Sequence, residues 1–172
     1  MRELLLLRHA KSSWDDPSLD DFDRPLAGRG QKAALVMARE IVRRGWSPDT
    51  VFVSTALRTR QTWQLAAPTL GERRPRAVYD DALYMASAEQ IMACIRRSPE
   101  TKQRLLVLGH NPGLEELALE LAGPGSDDAA LARLRAKFPT AAMARFEVAG
   151  KWSSLAPSTA RLCHFLRPKD IE

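Results

Sequence analysis

Two of the three histidines in this 172-residue chain follow directly on short apolar runs. Leu4–Leu7 ends in Arg8-His9, and Leu105–Leu108 ends in Gly109-His110-Asn111-Pro112. A neutral imidazole is a nucleophile whose charge changes near neutrality, and a guanidinium grips phosphate oxygens with two parallel hydrogen bonds. A third segment, Ser54-Thr55-Ala56-Leu57-Arg58-Thr59-Arg60-Gln61-Thr62, follows the apolar run Val51–Val53. It places Arg58 in the first turn of a predicted helix, where free backbone N–H groups also favour an anion. Arg60 lies two residues on, points elsewhere and reads as a solvated helix charge. Taken singly, Arg8-His9 is an incidental strand-end pair and His110 a satisfied structural histidine. Taken together, two imidazoles and two guanidiniums at three strand ends suit phosphoryl chemistry.

The elements that must position them alternate between strand and helix. Strands are predicted over Glu3–Arg8, Thr50–Ser54, Arg76–Tyr79, Arg104–Gly109, Ala142–Val148 and Ala160–Leu166. The runs at Val51–Val53 and Leu105–Leu108 are continuously apolar, as strands covered on both faces are. Helices are predicted over Gly30–Arg44, Leu57–Leu70, Ala88–Arg97, Gly113–Leu121 and Asp128–Lys137, with Ser87 capping the third. Repeated alternation predicts an α/β fold: a three-layer α/β/α sandwich around a mostly parallel sheet, within a single domain spanning 1–172. Only Ala149-Gly150-Lys151-Trp152 separates the last two predicted strands, so a hairpin and one antiparallel edge are expected there. The polar, proline-punctuated stretch Lys11–Arg29 reads as a functional loop over the strand ends, where open α/β sheets bind ligands.

Composition narrows the classes. A hydrophobic fraction of 45% and a charged fraction of 27% are those of an ordinary globular protein. No run approaches the ~20 apolar residues of a membrane span, and no secretory leader is evident, so a cytoplasmic protein is expected. The net charge of +5 comes from arginines scattered over several segments, without the interleaved aromatics of a nucleic-acid platform. An anionic substrate accounts for some of that charge equally well. Cys94 and Cys163 fit no metal or redox spacing and read as buried thiols. Nothing specifies an oligomeric state.

Arg8-His9, Ser54-x-x-x-Arg58-x-x-Gln61-Thr62 and Gly109-His110-Asn111-Pro112 resemble the motifs of the histidine phosphatase superfamily, the phosphoglycerate mutase-like fold. The short chain, Arg8-His9-Ala10-Lys11-Ser12-Ser13-Trp14, Asp23-Arg24-Pro25-Leu26 and the His-Asn-Pro-Gly run are similar to its SixA-type phosphohistidine phosphatase branch. The resemblance runs from Leu4 to the closing His164–Lys169. It implies that His9 attacks phosphorus and is transiently phosphorylated, while Arg8, Arg58 and His110 bind the phosphoryl oxygens. It implies no metal and no cofactor. His164 is left as a structural residue of the last strand.

Two departures stand out: Ala10 replaces the glycine that commonly follows Arg-His, and Thr55 the proline that commonly follows the serine. Many members also carry a carboxylic acid that protonates the leaving group. Asp81 and Glu89 are candidates for it here, and most of Asp15, Asp16, Asp20, Asp21 and Asp23 read as solvated or turn-forming. The implied partner is a phosphorylated substrate, with a phosphohistidine protein as one form. The alternatives are a phosphomonoesterase for sugar or nucleotide phosphates at the same site, and a catalytically silent phosphate-binding module. A nucleic-acid binder is a more distant class.

Overall fold

A computed structural model describes residues 1–171. Six strands form one sheet in the order β3-β2-β4-β1-β5-β6, with β1 Arg2–Arg8, β2 Thr50–Ser54, β3 Ala77–Asp80, β4 Arg104–Gly109, β5 Met143–Val148 and β6 Ala160–Leu166. β1 pairs in parallel with β4, β4 with β2, and β2 with β3. β5 runs against both β1 and β6, so it is the one reversed strand. The β5–β6 connection is not a tight hairpin. Eleven residues from Ala149 to Thr159 intervene and include a helical turn at Trp152–Ser154.

Side chains alternate along a strand, so the leucine run of β1 serves both faces. Leu4 and Leu6 face one core, with Ile91, Ile95, Leu117, Leu121 and Leu134 of α3 (Ala88–Arg96), α4 (Gly113–Leu121) and α5 (Asp128–Ala136). Leu5 and Leu7 face the other, with Met37 and Ile41 of α1 (Gly28–Arg43) and Trp63 of α2 (Leu57–Ala66). Fully burying one leucine contributes about 2 kcal/mol, so four consecutive ones anchor β1 firmly between the layers. The structure is thus a helix–sheet–helix sandwich.

Two helical boundaries move from their expected places. α2 stops at Ala66 because Pro68 cannot continue the hydrogen-bond ladder, and a distorted helical turn carries the chain on to Arg73. α1 begins at Gly28, two residues early, which shortens the loop after β1. Ser87 caps α3 as expected, in a reciprocal pair with Gln90. Cys94 is buried, but Cys163 is only half-buried because β6 is an edge strand. Among the described residues no helix is long and apolar enough to cross a membrane.

Candidate active site

The parallel register of the three neighbouring strands determines which residues meet. Arg8 lies beside Gly109 in the β1–β4 ladder, so the next residues, His9 and His110, leave the sheet side by side. Their ring centroids are 5.3 Å apart. Ser54 ends β2 on the far side of β4, and its Oγ lies 2.7 Å from His110 Nε2. Arg58, in the first turn of α2, donates from Nε to His9 Nε2 at 3.4 Å. Arg8, His9, Arg58 and His110 therefore line one cleft of about 200 Å³ at the carboxyl end of the sheet.

Hydrogen bonding settles the tautomer of His9. Its Nδ1 lies 2.7 Å from the carbonyl oxygen of Ala10, which only accepts, so Nδ1 carries the proton. Nε2 is left with its lone pair, consistent with the N–H that Arg58 aims at it. Burial lowers the pKa of His9 to about 3, with the charges of Arg58, Arg8 and Arg24 adding to it against the Ala10 hydrogen bond. His110 is likewise lowered to about 3, by burial first and then by His9 and Arg58. Both rings are uncharged at neutral pH. His110 Nδ1 is buried and has no hydrogen-bond partner among the described residues.

The remaining residues of the second motif hold this geometry. Thr62 Oγ1 accepts from the Ala10 amide at 3.1 Å and donates to the Arg58 carbonyl at 2.7 Å, tying the turn after His9 to α2. Gln61 Oε1 accepts from the Leu26 amide at 2.8 Å and so pins the far end of the loop. Arg60 is turned away, its Nε bonded to the Thr55 carbonyl at 2.9 Å. The Phe138 carbonyl accepts from both Arg8 Nη1 and Asn111 Nδ2, which orients the first arginine. A close backbone approach occurs at Gly113 and not at Gly109. A Cβ on Gly113 would stand 1.9 Å from the Ala86 carbonyl oxygen, whereas one on Gly109 would make only an ordinary contact.

The loop after β1 adds groups that the motifs did not assign. Arg24 is 7% exposed and lines the cleft, which makes it a third guanidinium there. It lies 3.4 Å from the Asp21 carboxylate and stacks 3.4 Å from the centre of the Trp14 ring. Asp21 Oδ2 also accepts from Arg58 Nη2 at 3.0 Å and from the Tyr84 hydroxyl at 2.6 Å, while its carbonyl accepts from Arg58 Nη1 at 2.7 Å. Burial would raise the Asp21 carboxyl, but the bonds from Tyr84 and Arg58 and the charges of Arg58 and Arg24 prevail and hold it below the usual range. It is an anchor for arginines, not a proton donor.

Neither acid candidate lines the cleft. Asp81 accepts from the Thr55 hydroxyl at 2.6 Å outside it, and Glu89 stands exposed in the first turn of α3. Among the described residues the lining is formed by Arg8, His9, Lys11, Ser12, Trp14, Arg24, Arg58, Met85, His110, Asn111 and Thr140, with no carboxylate. Among the described residues no group of three or more His, Cys, Asp or Glu side chains is placed to hold a metal. His164 packs against Trp46, 4.7 Å between ring centres, away from the site.

Residues 4–84 match the model of the histidine phosphatase superfamily, branch 1. The chain is 39% identical over 170 residues to an uncharacterized protein of Mycobacterium tuberculosis, covering 95% of this chain and all of that one. Two solved structures, each described as a putative phosphohistidine phosphatase SixA, superpose closely. That from Nakamurella multipartitia is 30% identical with a TM-score of 0.82, covering 97% of this chain and 96% of its own. That from Agrobacterium tumefaciens is 32% identical with a TM-score of 0.82, covering 97% and 98%. The chain belongs to the histidine phosphatase superfamily, in its SixA-type branch, and is a phosphatase.

Proposed function

We propose that the protein hydrolyses phosphohistidine, or a related labile phosphoramidate, through a phosphoenzyme on His9. The carrying observation is the cleft's composition: three guanidiniums and two neutral imidazoles, and, among the described residues, no carboxylic acid to protonate a leaving group. An alkoxide needs such a proton. The nitrogen of a P–N bond departs far more readily, taking its proton from solvent.

In the first step the lone pair of His9 Nε2 forms a bond to phosphorus as the substrate's P–N bond breaks, its electron pair going to the leaving nitrogen. In the second step water attacks phosphorus, the Nε2–P bond returns its pair to the ring, and inorganic phosphate leaves with one proton released. Arg8 and Arg58 neutralise the charge spread over the phosphoryl oxygens. If the Ser54 hydroxyl donates to His110 Nε2, the ring proton sits on Nδ1, a buried nitrogen free to donate to a third oxygen. The acceptor is water, and no cofactor takes part.

A panel of phosphohistidine protein, phosphoramidate, and sugar and nucleotide phosphates tests this. Higher kcat/KM on the P–N substrates is expected, with an acid-labile phosphoenzyme that disappears in His9→Ala along with at least ~10⁴-fold of the rate. Preference for the alkyl phosphates would select the phosphomonoesterase instead. Absence of any phosphoenzyme would leave only a phosphate-binding module.

A further inference from the structure

Trp14 is the most exposed aromatic side chain near the site, at 70%, and it lines the same cleft as His9. One face of its indole is covered by the Arg24 guanidinium at 3.4 Å. Such high exposure leaves the other face in solvent. Arg24 itself is buried and held by Asp21, so the stacked indole is fixed in place before any ligand arrives. A rigid, exposed aromatic costs little entropy to engage, which is why such residues anchor recognition surfaces. Met85, from a separate loop, adds a second apolar contact. It is half-exposed, held at a positive φ of 50°, and its sulfur lies 4.0 Å from Arg58 Nη2.

These walls select by chemistry. A sugar or ribose leaving group presents several hydroxyls, and among the described residues the cleft lining has no carboxylate to accept from them, leaving the unpartnered Asn111 Oδ1 and the hydroxyls of Ser12 and Thr140 as its side-chain acceptors. A flat ring needs only a flat apolar surface, and the open indole face supplies one. Resting on the phosphatase reading above, we propose that Trp14 is a specificity-determining residue that stacks its open face on the ring of the leaving group, the imidazole of a phosphohistidine side chain. Arg24 links this platform to the phosphoryl end of the cleft, so ring and phosphoryl group are gripped by one connected unit.

The test compares kcat/KM on free N-phosphohistidine with that on the phosphoramidate ion, which has no ring, in the wild type, Trp14→Ala and Trp14→Phe. Any disturbance of Arg24 affects the phosphoryl end and so both substrates alike, leaving the ratio as the reporter of stacking. The ratio should fall about tenfold in Trp14→Ala, the size of a lost aromatic contact, through a raised KM for phosphohistidine. Trp14→Phe should restore it to within about threefold. An unchanged ratio in Trp14→Ala, with both rates falling together, would overturn the proposal and leave Trp14 as a prop for Arg24. A wild-type protein that cleaves neither P–N substrate but does cleave alkyl phosphates would instead overturn the function on which the stacking rests.

Discussion

The same two strands begin and end beside arginine, and the two ends treat it differently. At the amino end of β1 and β4, Arg104 donates to Glu3 at 2.5 Å, and Arg145 lies 3.2 Å from Glu3 and 3.8 Å from Glu147. Arg161 completes the chain by pairing with Glu147. Charge there is close to balanced. At the carboxyl end Arg8, Arg24 and Arg58 gather around neutral imidazoles, with Asp21 the one carboxylate paired to them among the described residues. Paired charge holds strands together; the excess at the other end is available to a dianion. The surplus, not the arginine content, marks the working end of the sheet.

That contrast can be broken from either side. Arg58→Ala should have the largest effect, lowering kcat/KM about 10²–10³-fold, the loss expected for a charged clamp on the transition state. A loss below about tenfold in steady-state assays would mean the excess charge at this end is not used in the reaction. Next comes pH. His9, ordinarily near 6.5, is lowered to about 3, so the free protein keeps this imidazole, the proposed nucleophile, unprotonated well below neutrality. The unfolded chain takes up a proton there between about 6.5 and 3 and the folded one does not, so stability falls as pH falls through that window. Urea melts at pH 7 and 4.5 should show this loss, and His9→Ala should make it smaller.

At the amino end the signs reverse. Glu3→Gln removes the carboxylate shared by Arg104 and Arg145 and should lower stability by about 1–2 kcal/mol, with kcat/KM changed by no more than about twofold. The smallest effect is expected for Arg60→Ala, within about 0.5 kcal/mol and twofold in rate, since its guanidinium is turned onto the Thr55 carbonyl. A loss comparable to that of Arg58→Ala would place the Arg60 guanidinium in the cleft instead.

Much of this was legible in the residues. Continuous leucine runs give buried strands, and Arg8-His9 and Gly109-His110 fall at their ends because polar residues begin where the two cores stop. What was not legible depended on partners distant in sequence. Ser54 is chemically plain, and its contact with His110 exists only because β2 and β4 pair in parallel. Asp21 is one of five aspartates alike in sequence, set apart only when the loop folds back to bring it to Arg58 and Tyr84. Arg24 and Trp14 stood within a recognisable motif, but their stacking is a product of the same fold-back. Asp81 and Glu89 stand out by position along the chain, which says nothing about depth.

The place of β1 in the sheet has a kinetic consequence. The His9 amide donates to the Gly109 carbonyl at 3.1 Å, and its carbonyl accepts from Ala141 at 2.9 Å, so the backbone of the proposed nucleophile is tied to neighbours on both sides. Ala141 adopts a positive φ of 62° to make that bond. A residue held this way shares the opening free energy of the whole core, and local fluctuations do not reach it. The scaffold therefore sets where the proposed reaction happens, and both His9 and the stacked Trp14–Arg24 pair stand in place before a ligand arrives.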